Sequence, residues 1–293
     1  MEKAIIKAMN FSIGFIGQGW IGKNYADDFE NRGFSVVRYG LEPKFAANKD
    51  KIKDCDIVFI AVPTPTTPTG FDDSIVRQVV GLVGAGKIAV IKSTVKPGTT
   101  ESIQADYPNV LVLHSPEFLV ESSAAINAAN PFSNIIGLPK QTKEYQVAAE
   151  AVLKVLPQAP FVQVCSAQEA ELFKYLHNVH GFVEVILMNL CYDLAEKLGA
   201  RWEVLKDAML ADPMFSNYYR EPIHKSGRGA GGHCFIKDFA TFRDLHRNLV
   251  ATDTIGQQIL TALEAKNIEL LSQSGKDLDL LQGVYGPRHE KSD

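Results

Sequence analysis

The chain is 293 residues long, a length that fits two domains better than one. It is 46% hydrophobic and 22% charged, and its 30 basic and 34 acidic residues give a net charge of −4, which argues against nucleic-acid binding by bulk charge. The apolar stretches are too short or too interrupted to span a membrane, and the N-terminus carries no export signal, so we expect a cytoplasmic protein. Four cysteines lie far apart without a C-x-x-C pair, and we expect no metal site: Cys55, Cys165, Cys191 and Cys234.

The first half of the chain alternates short apolar runs with amphipathic stretches. The runs are rich in β-branched residues and several lack polar alternation, as is typical of strands buried on both faces. Predicted strands cover residues 11–16, 35–39, 57–62, 87–91, 110–113, 134–138 and 161–164. Predicted helices cover residues 21–31, 73–83, 99–105 and 142–156. This succession predicts an α/β fold with a doubly wound parallel sheet over residues 1–165.

A glycine-rich turn, Gly17-x-Gly19-Trp20-Ile21-Gly22, follows the first predicted strand and opens the first predicted helix. Gly17 permits a tight turn, Gly19 lets the backbone approach a pyrophosphate, and Gly22 permits close packing of the helix on the strand. The N-terminus of the helix supplies amide donors and the positive end of its dipole. In this position the pattern predicts a dinucleotide-binding loop in a Rossmann domain.

The second predicted strand lacks the acidic residue that would bind an adenosine ribose, because that position carries Gly40. Glu42 could serve from a shifted loop. Alternatively, Arg38 or Lys44 could contact a 2′-phosphate. The sequence leaves NAD and NADP both open.

The second half of the chain is predicted to be helical. Ser166 and Glu169 form a capping box, and the apolar period continues through one long helix, Ala167–Leu198. Shorter helices are predicted over residues 202–210, 236–248 and 254–271. We therefore expect a helical domain over residues 166–272, followed by a loose polar tail over residues 273–293.

Lys174 and Asn178 are four residues apart on the long helix and so share one face. Such a pair could polarise a hydroxyl or carbonyl group beside a nicotinamide. A solvated helix face is the alternative interpretation.

The glycine-rich segment around Cys234 is the most distinctive in the chain. Gly231 and Gly232 give access to the thiol beside the start of the next predicted helix, whose N-terminus, with Lys237, should stabilise a thiolate. Asp238 lies one helical turn beyond Cys234 and could hold a lysine or a water. We interpret Cys234 as a nucleophile rather than as a packing cysteine.

Taken in order, these segments resemble the motifs of the UDP-glucose/GDP-mannose dehydrogenase family. The matching segments are collinear and comprise residues 17–22, 61–65, 70–72, 92–95, 97–99, 115–121, 169–178 and 231–238. The resemblance implies an NAD-binding Rossmann domain and a helical central domain that forms a homodimer through its long helix. It also implies the cofactor-binding residues Gly17, Gly19, Trp20, Ile21, Gly22, Val62, Pro63, Thr64, Thr94 and Glu121.

The family reaction is a four-electron oxidation of a sugar primary alcohol to a carboxylate, as in UDP-glucose 6-dehydrogenases, and it serves polysaccharide biosynthesis. By resemblance, Cys234 captures the intermediate aldehyde as a thiohemiacetal, which a second oxidation converts to a thioester. The groups implied to stabilise the oxyanion are Lys174 and Asn178. Asp238, with Lys174, would organise a water, and Thr94 and Glu117 would position that water and assist hydrolysis of the thioester.

Three departures from the family pattern affect substrate recognition. The family continues into a second Rossmann-like domain that holds the nucleotide of the substrate, and we expect this chain to lack that domain. The family's Asp-x-Arg-Ile segment reads Asp212-Pro-Met214-Phe215, and Ile236 replaces a proline. We expect either a smaller or unusual alcohol substrate, or a separate chain that completes the site.

Two other functions compete with this interpretation. One is a two-electron, NAD(P)-dependent β-hydroxyacid-type dehydrogenase that uses only Lys174 and Asn178. The other is a non-catalytic NAD-binding partner subunit. The retention of Cys234 and Asp238 beside the helix pair favours the alcohol-to-acid dehydrogenase.

Overall fold

A computed structural model describes residues 11–215 and 218–287, and the chain divides into two compact units. The first unit comprises Met1–Thr64 and Asp72–Lys174, and the second comprises Pro65–Phe71 and Tyr175–Asp293. The boundary falls inside the long helix rather than after residue 165, and a short segment from the first half of the chain belongs to the second unit.

The elements alternate in the first half of the chain and are mainly helical in the second. In chain order, the strands are β1 (Ile13–Ile16), β2 (Val36–Tyr39), β3 (Ile57–Ile60), β4 (Thr66–Thr67), β5 (Gly70–Phe71), β6 (Ile88–Ile91), β7 (Leu111–His114), β8 (Ser133–Leu138), β9 (Phe161–Ser166), β10 (Ile223–His224) and β11 (Gly227–Arg228). The helices are α1 (Trp20–Asn31), α2 (Pro43–Ala46), α3 (Ser74–Val80), α4 (Thr99–Asp106), α5 (Ala124–Ala129), α6 (Lys143–Val155), α7 (Ala167–Leu198), α8 (Trp202–Ala211), α9 (Gly232–Leu249), α10 (Thr254–Ser274) and α11 (Leu278–Tyr285). Short 3-10 helices cover Lys49–Asp54 and Glu121–Ser123.

The first unit is built on a seven-stranded sheet with the strand order β2-β1-β3-β6-β7-β8-β9. The strands from β2 to β7 in this order run parallel, β8 pairs antiparallel with β7, and β9 runs parallel to β8. The predicted doubly wound α/β fold is confirmed, but its last two strands are reversed. Strand direction was not readable from the sequence because an apolar run has the same composition in either direction, and antiparallel edges are common in such sheets.

The central strands of this sheet are buried on both faces, which explains why their sequences show no polar alternation. Every residue of β1, β3 and β6 is buried. Phe15 on β1 stacks on Phe59 of β3 with ring centroids 5.0 Å apart, and Phe29 of α1 contacts both rings edge-on. This aromatic cluster fixes α1 against the sheet and thereby fixes the turn that joins β1 to α1.

The strand order reverses at β1, because β2 lies on one side of it and β3 on the other. In doubly wound sheets, ligands bind in the crevice at the carboxyl ends of the strands where the order reverses. The glycine turn after β1 and the segment Ala61–Thr64 after β3 emerge at this point. The topology therefore places the glycine turn and residues 61–64, which the family resemblance implies bind the cofactor, at this edge of the sheet.

The second unit is mainly helical, as predicted. Phe182 of α7 stacks on Phe239 of α9 with ring centroids 3.8 Å apart. Two short hairpins, β4–β5 and β10–β11, accompany the helices. Over residues 11–215 and 218–287, no helix combines the length and apolar character that crossing a membrane would require.

Two predictions about the second half are wrong. α9 begins at Gly232 rather than at residue 236, because the helix accommodates the glycine that local propensity places outside it. The segment predicted as a loose tail contains the end of α10 and all of α11, whose Leu281 packs with Ile236 and Leu271 in a buried cluster. The predicted tail beyond residue 287 lies outside the described residues.

Candidate active site

The glycine turn between β1 and α1 is held tightly against the end of β3. Gly17 has φ 89°, and a Cβ added there would lie 2.1 Å from the Ala61 carbonyl oxygen. A Cβ on Gly22 would lie 1.9 Å from the Gly17 carbonyl oxygen. A Cβ on Gly19, by contrast, would meet no atom within 4 Å. The first two positions therefore require glycine for folding, whereas the third leaves the backbone open to a ligand.

The first turn of α1 presents backbone amide groups beside this open face. Its N-cap residue is Gly19, which has no side chain to accept hydrogen bonds from the first amides. Trp20 and Ile21 open the helix; the Trp20 ring is 54% exposed, while Ile21 packs against the core of the first unit. These unbonded amides and the helix dipole suit a phosphate group.

The predicted residues after β3 and β6 contact each other through short hydrogen bonds. The Ser93 hydroxyl donates to the Val62 carbonyl oxygen (2.7 Å) and accepts from the Val62 amide (2.9 Å). The Thr64 hydroxyl, which is buried, donates to the Thr94 carbonyl oxygen (2.7 Å). Pro63, between these two contacts, is exposed. The structure thus brings Val62, Thr64 and Thr94 together in the first unit.

Two carboxylates engage Arg38, at the end of β2. Its guanidinium donates to Glu30 (2.7 and 2.9 Å) and to Asp27 (2.7 Å). Lys44, the other predicted phosphate ligand, lies 3.4 Å from Glu42 on the surface. Acidic partners therefore balance the charges of both cations.

Lys174 and Glu117 form a buried ion pair in the first unit. Lys174 Nζ donates to the Glu117 carbonyl oxygen at 2.6 Å and lies 3.1 Å from Glu117 Oε1, while Glu117 Oε2 accepts from the Leu119 amide at 2.9 Å. Burial acts to raise the pKa of Glu117, but the charge of Lys174 and these hydrogen bonds hold it below its usual value. Each residue is 4% exposed, so the interpretation of Lys174 as part of a solvated helix face is wrong.

A second buried lysine, Lys92, adjoins this pair, and no role was predicted for it from the sequence. Lys92 Nζ donates to the carbonyl and hydroxyl oxygens of Ser115, two residues before Glu117, and burial lowers its pKa to about 8. His114, the last residue of β7, is fully buried, and burial lowers its pKa to about 3. A lysine that directly follows the buried strand β6 was the available signal for this cluster.

Glu171 is a further buried carboxylate whose role was not predicted. It accepts from the amides of Gly98 (2.6 Å) and Thr100 (2.8 Å) and from the Thr100 hydroxyl (2.6 Å). Burial raises its pKa to about 7, although these hydrogen bonds act in the opposite direction. Glu171 therefore caps the N-terminus of α4, which follows the segment that contains Thr94.

Cys234 occupies the first turn of α9 in the second unit, and it is exposed. Gly232, two residues before Cys234, has φ 77°, and a Cβ added there would meet no atom within 4 Å. The predicted open space therefore exists at Gly232, but the prediction is wrong for Gly231, where an added Cβ would lie 2.0 Å from Asp277 Oδ2. A thiol placed at a helix N-terminus and open to solvent is a chemically competent position for a nucleophile.

Asp238, one turn beyond Cys234, connects two other predicted residues of the second unit. Its Oδ2 accepts from Asn178 Nδ2 at 2.6 Å, and its Oδ1 lies 2.6 Å from Lys237 Nζ. Asp238 is fully buried and Asn178 is 5% exposed. Asn178 is thus oriented by a carboxylate, and Lys237, predicted to stabilise a thiolate, forms this ion pair with Asp238.

Three further positions were singled out from the sequence. Glu121 opens a 3-10 helix in the first unit and is exposed. Met214, at the position of the family arginine, is 88% exposed. Ile236, where the family has proline, is buried against Leu271 and Leu281, which gives an apolar side chain at this position a packing role.

Comparison with known proteins identifies both units. The NAD-binding domain of the UDP-glucose/GDP-mannose dehydrogenase family matches residues 41–156, and the central domain of the same family matches residues 168–267. An uncharacterized protein of Methanocaldococcus jannaschii is 32% identical over 93% of this chain and 34% of its own length. The putative UDP-glucose 6-dehydrogenase YtcA of Bacillus subtilis is 27% identical over 70% of this chain and 49% of its own length.

A solved structure agrees with these matches. The UDP-glucose dehydrogenase of Pyrobaculum islandicum superposes with a TM-score of 0.74 at 27% identity, covering 88% of this chain and 68% of that chain. The chain spans between a third and a half of the length of the two curated relatives. The collinear matches to both domains and the shared fold show that the chain belongs to the UDP-glucose/GDP-mannose dehydrogenase family.

Proposed function

We propose that the protein oxidises the primary alcohol of a nucleotide sugar to a carboxylate with NAD as the oxidant. The observation that carries the proposal is the exposed thiol of Cys234 in the first turn of α9, one turn from the buried Asp238–Asn178 contact. The similarity to UDP-glucose dehydrogenases of Bacillus subtilis, where the activity is putative, and Pyrobaculum islandicum suggests the substrate class. A nucleotide-linked sugar acid of this kind would serve polysaccharide biosynthesis.

The residues of the first unit fit a dinucleotide. Gly17 and Gly19 give the pyrophosphate access to the amides of α1, and the segments around Val62 and Thr94 line the same strand edge. When bound, NAD supplies the acceptor for the hydride that leaves the substrate carbon in each of two oxidations. The balanced charge of Arg38 favours NAD over NADP.

In the first oxidation, the alcohol becomes an aldehyde and its hydroxyl proton must leave. We assign the stabilisation of the developing oxyanion to Lys174 and Asn178, whose orientations are fixed by Glu117 and Asp238 respectively. Asp238 is proposed to organise, with Lys174, the water that accepts the proton. Fixed donors of this kind cost little reorganisation when charge develops, which is how they lower the barrier.

In the second oxidation, Cys234 keeps the aldehyde covalently bound. Its sulfur adds to the aldehyde carbon and the carbonyl oxygen takes up a proton, which gives a thiohemiacetal. Loss of a hydride from carbon and of the hydroxyl proton converts this to a thioester. Water then adds to the thioester carbon and the thiol departs, with Thr94 and Glu117 proposed to position that water.

We further propose a homodimer formed through α7. Four exposed apolar side chains in the C-terminal half of this helix recur at intervals of three or four residues and so form one stripe: Leu187, Leu190, Leu194 and Leu198. Contiguous exposed apolar patches commonly mark protein–protein interfaces. Replacing Leu190 and Leu194 with lysine should give a monomer in sedimentation experiments, whereas a dimer that persists would contradict this interface.

A cofactor-reduction screen tests the proposed activity. Nucleotide sugars and free sugar alcohols are incubated with NAD, and both the NADH formed per substrate and the mass of the product are measured. We expect two NADH and a carboxylate from the wild type, and no carboxylate from Cys234→Ser. One NADH per turnover with a released aldehyde or ketone would overturn the proposal in favour of a two-electron dehydrogenase. NAD binding without turnover, alone or with co-purifying chains that could complete the site, would favour a non-catalytic subunit.

A further inference from the structure

The glycine loop, defined as residues 227–232, leads into the helix that carries Cys234. Side chains from one later segment of the chain form hydrogen bonds with the backbone of this loop. This anchoring segment, residues 267–277, covers the end of α10 and the turn that precedes α11. Its residues 273–277 belong to the segment predicted from the sequence to be a loose tail. Four of its side chains hydrogen-bond to the glycine loop, all within the second unit: Asn267, Ser274, Lys276 and Asp277.

The first two anchors bond the middle of the glycine loop. Asn267, which is buried, accepts from the Ala230 amide at 2.7 Å and donates to the Ala230 carbonyl oxygen at 3.0 Å. The Ser274 hydroxyl accepts from the Arg228 amide at 3.0 Å. Since the amide side chain satisfies both backbone groups of Ala230, the loop cannot rotate about this residue without losing two buried hydrogen bonds.

The buried side chain of Lys276 donates hydrogen bonds to carbonyl groups of the glycine loop. Its ammonium group donates to the Gly229 carbonyl oxygen at 2.9 Å and to the Gly227 carbonyl oxygen at 3.3 Å, and the residue is 5% exposed. A buried ammonium is tolerated only where acceptors replace its hydration. The carbonyl groups of the glycine loop therefore stabilise the buried charge of this lysine, and the lysine in turn holds the loop in place.

Asp277 bonds the first turn of the helix that carries the thiol. Its Oδ2 accepts from the Gly232 amide at 2.7 Å, two residues before Cys234. Asp277 has φ 53°, a left-handed conformation that aspartate and asparagine adopt more readily than most residues. The carboxylate thus accepts a hydrogen bond from one of the amide groups that a helix N-terminus leaves unsatisfied.

The glycines of the loop provide the space for these anchors. A Cβ on Gly227 would lie 2.5 Å from Ser274 Cβ, and a Cβ on Gly231 would lie 2.0 Å from Asp277 Oδ2. Gly232, whose Cβ would meet no atom, is the position left open beside the thiol. Glycine therefore has two uses here: Gly227 and Gly231 admit the anchoring segment, whereas Gly232 leaves open space beside the thiol.

We infer that Asp277 is a positioning residue for Cys234, because its side-chain acceptor fixes the first turn of α9 while the other anchors fix the loop behind it. The inference rests on the proposed function, in which Cys234 is the nucleophile. A thiol on an anchored turn meets the aldehyde in one orientation, whereas a frayed turn would present it in many. This role requires a hydrogen-bond acceptor on residue 277 at 2.7 Å from the Gly232 amide, and it does not require a negative charge.

Three variants of Asp277 separate placement from charge. Asp277→Gly removes the acceptor and tolerates the left-handed backbone, Asp277→Asn keeps an acceptor without charge, and Asp277→Glu keeps the charge but displaces the acceptor by one methylene. The matched control is Asp279→Ala, on an exposed residue of the same turn. Each variant is compared by deuterium uptake of the peptide spanning residues 227–234, by the rate of Cys234 alkylation with iodoacetamide followed by peptide mass, and by kcat and KM.

We expect Asp277→Gly and Asp277→Glu to increase deuterium uptake in the loop, to change the alkylation rate at least about threefold, and to lower kcat by about 10- to 100-fold with little change in KM. Asp277→Asn should stay within about threefold of wild type. Wild-type uptake, alkylation and kcat in Asp277→Gly would overturn the inference, as would full activity of Asp277→Glu combined with loss of activity in Asp277→Asn.

The failure of the proposed function would be recognised separately. If the wild type oxidises no sugar alcohol, deuterium uptake and alkylation still decide whether Asp277 positions the thiol. If Asp277→Gly does not fold, Asp277→Asn and Asp277→Glu decide the same question, because both retain an acceptor side chain. In that case equal alkylation rates in the two would contradict the inference, and a wild-type rate in Asp277→Asn alone would support it.

Discussion

Lys174 Nζ donates to the backbone carbonyl oxygen of Glu117 at 2.6 Å and lies 3.1 Å from one oxygen of the same residue's carboxylate. One lysine therefore bonds both the backbone and the side chain of its partner, in surroundings where each residue is 4% exposed. The pair joins the start of α7 to the segment that follows β7, and it fixes the lysine that we propose as an oxyanion ligand. Substitutions can remove the two charges of this ion pair one at a time or together.

Glu117→Gln should destabilise the protein by about 3 kcal/mol, because it leaves the Lys174 ammonium buried without a counter-charge. The double variant Glu117→Gln with Lys174→Met should be less destabilised than Glu117→Gln alone, since the unpaired charge is gone. Urea unfolding followed by circular dichroism measures both. Lys23→Met breaks an exposed ion pair and serves as the control, with a change within about 0.5 kcal/mol. A double variant less stable than the single one would contradict this account of the pair.

A pH-dependent contribution to stability is expected from Glu171. Burial raises the pKa of this carboxyl from its ordinary 4.5 to about 7, with the charge of Glu101 acting in the same direction. Between these two values the folded protein holds a proton that the unfolded chain has lost, so the contribution of Glu171 to stability falls as the pH rises from 4.5 to 7. Below 4.5 and well above 7 this contribution is constant.

Comparison with Glu171→Gln isolates that contribution from the other titrating groups. The free energy of unfolding of the wild type, minus that of Glu171→Gln, should decrease by on the order of 3 kcal/mol between pH 4 and pH 8. Urea unfolding at several pH values over this interval gives the difference. A difference that stays flat or rises with pH would show that the folded protein ionises Glu171 as readily as the unfolded chain does.

Local sequence patterns predicted the parts of this protein whose structure depends on near neighbours. The apolar runs of β1, β3 and β6 and the capping box before α7 are such parts: the Ser166 hydroxyl and amide both bond the Glu169 carboxylate, at 2.6 and 2.8 Å. The direction of β8 and β9 depends instead on a pairing between His114 and Gly137, and no local pattern records that pairing.

The role of the chain's last helices was missed for a related reason. Residues 273–287 are polar and rich in glycine by composition, which is typical of a tail. Lys276 and Asp277 are ordered because their partners are backbone groups of the glycine loop, about 45 residues earlier in the chain. Backbone acceptors and donors have no sequence signature. The sequence likewise indicated Lys174, Asn178 and Asp238 as candidate site residues. Only the structure shows that Lys174 pairs with the carboxylate of Glu117 and that Asn178 donates to the carboxylate of Asp238.

The glycine turn after β1 offers a direct test of cofactor binding. Gly19→Ala should fold with nearly wild-type stability, because its φ of −71° suits alanine and its Cβ would meet no protein atom. The added methyl group would, however, occupy the face over which a pyrophosphate must approach the backbone. NAD affinity measured by calorimetry should therefore fall at least about tenfold, which is a loss of about 1.4 kcal/mol.

Gly22→Ala is the matched comparison within the same turn. Its Cβ would lie 1.9 Å from the Gly17 carbonyl oxygen, so the turn and α1 must separate to accommodate it. We expect this variant to lose stability in thermal unfolding, in contrast to Gly19→Ala. Equal NAD affinity in Gly19→Ala and the wild type would place the pyrophosphate elsewhere and would contradict the assignment of this turn.

The choice between NAD and NADP should depend on the carboxylates that bond Arg38. Arg38 is 11% exposed and shared between Asp27 and Glu30, so its positive charge is already balanced where a 2′-phosphate would have to bind. Asp27→Asn combined with Glu30→Gln removes that balance and leaves the guanidinium free to pair with phosphate. The ratio of NADP affinity to NAD affinity should rise by about tenfold, or about 1.4 kcal/mol, in calorimetric titrations at low salt. Arg38→Met in the same background should abolish the gain, because the increase depends on the guanidinium. A double variant with an unchanged affinity ratio would show that Arg38 does not face the ribose of the cofactor.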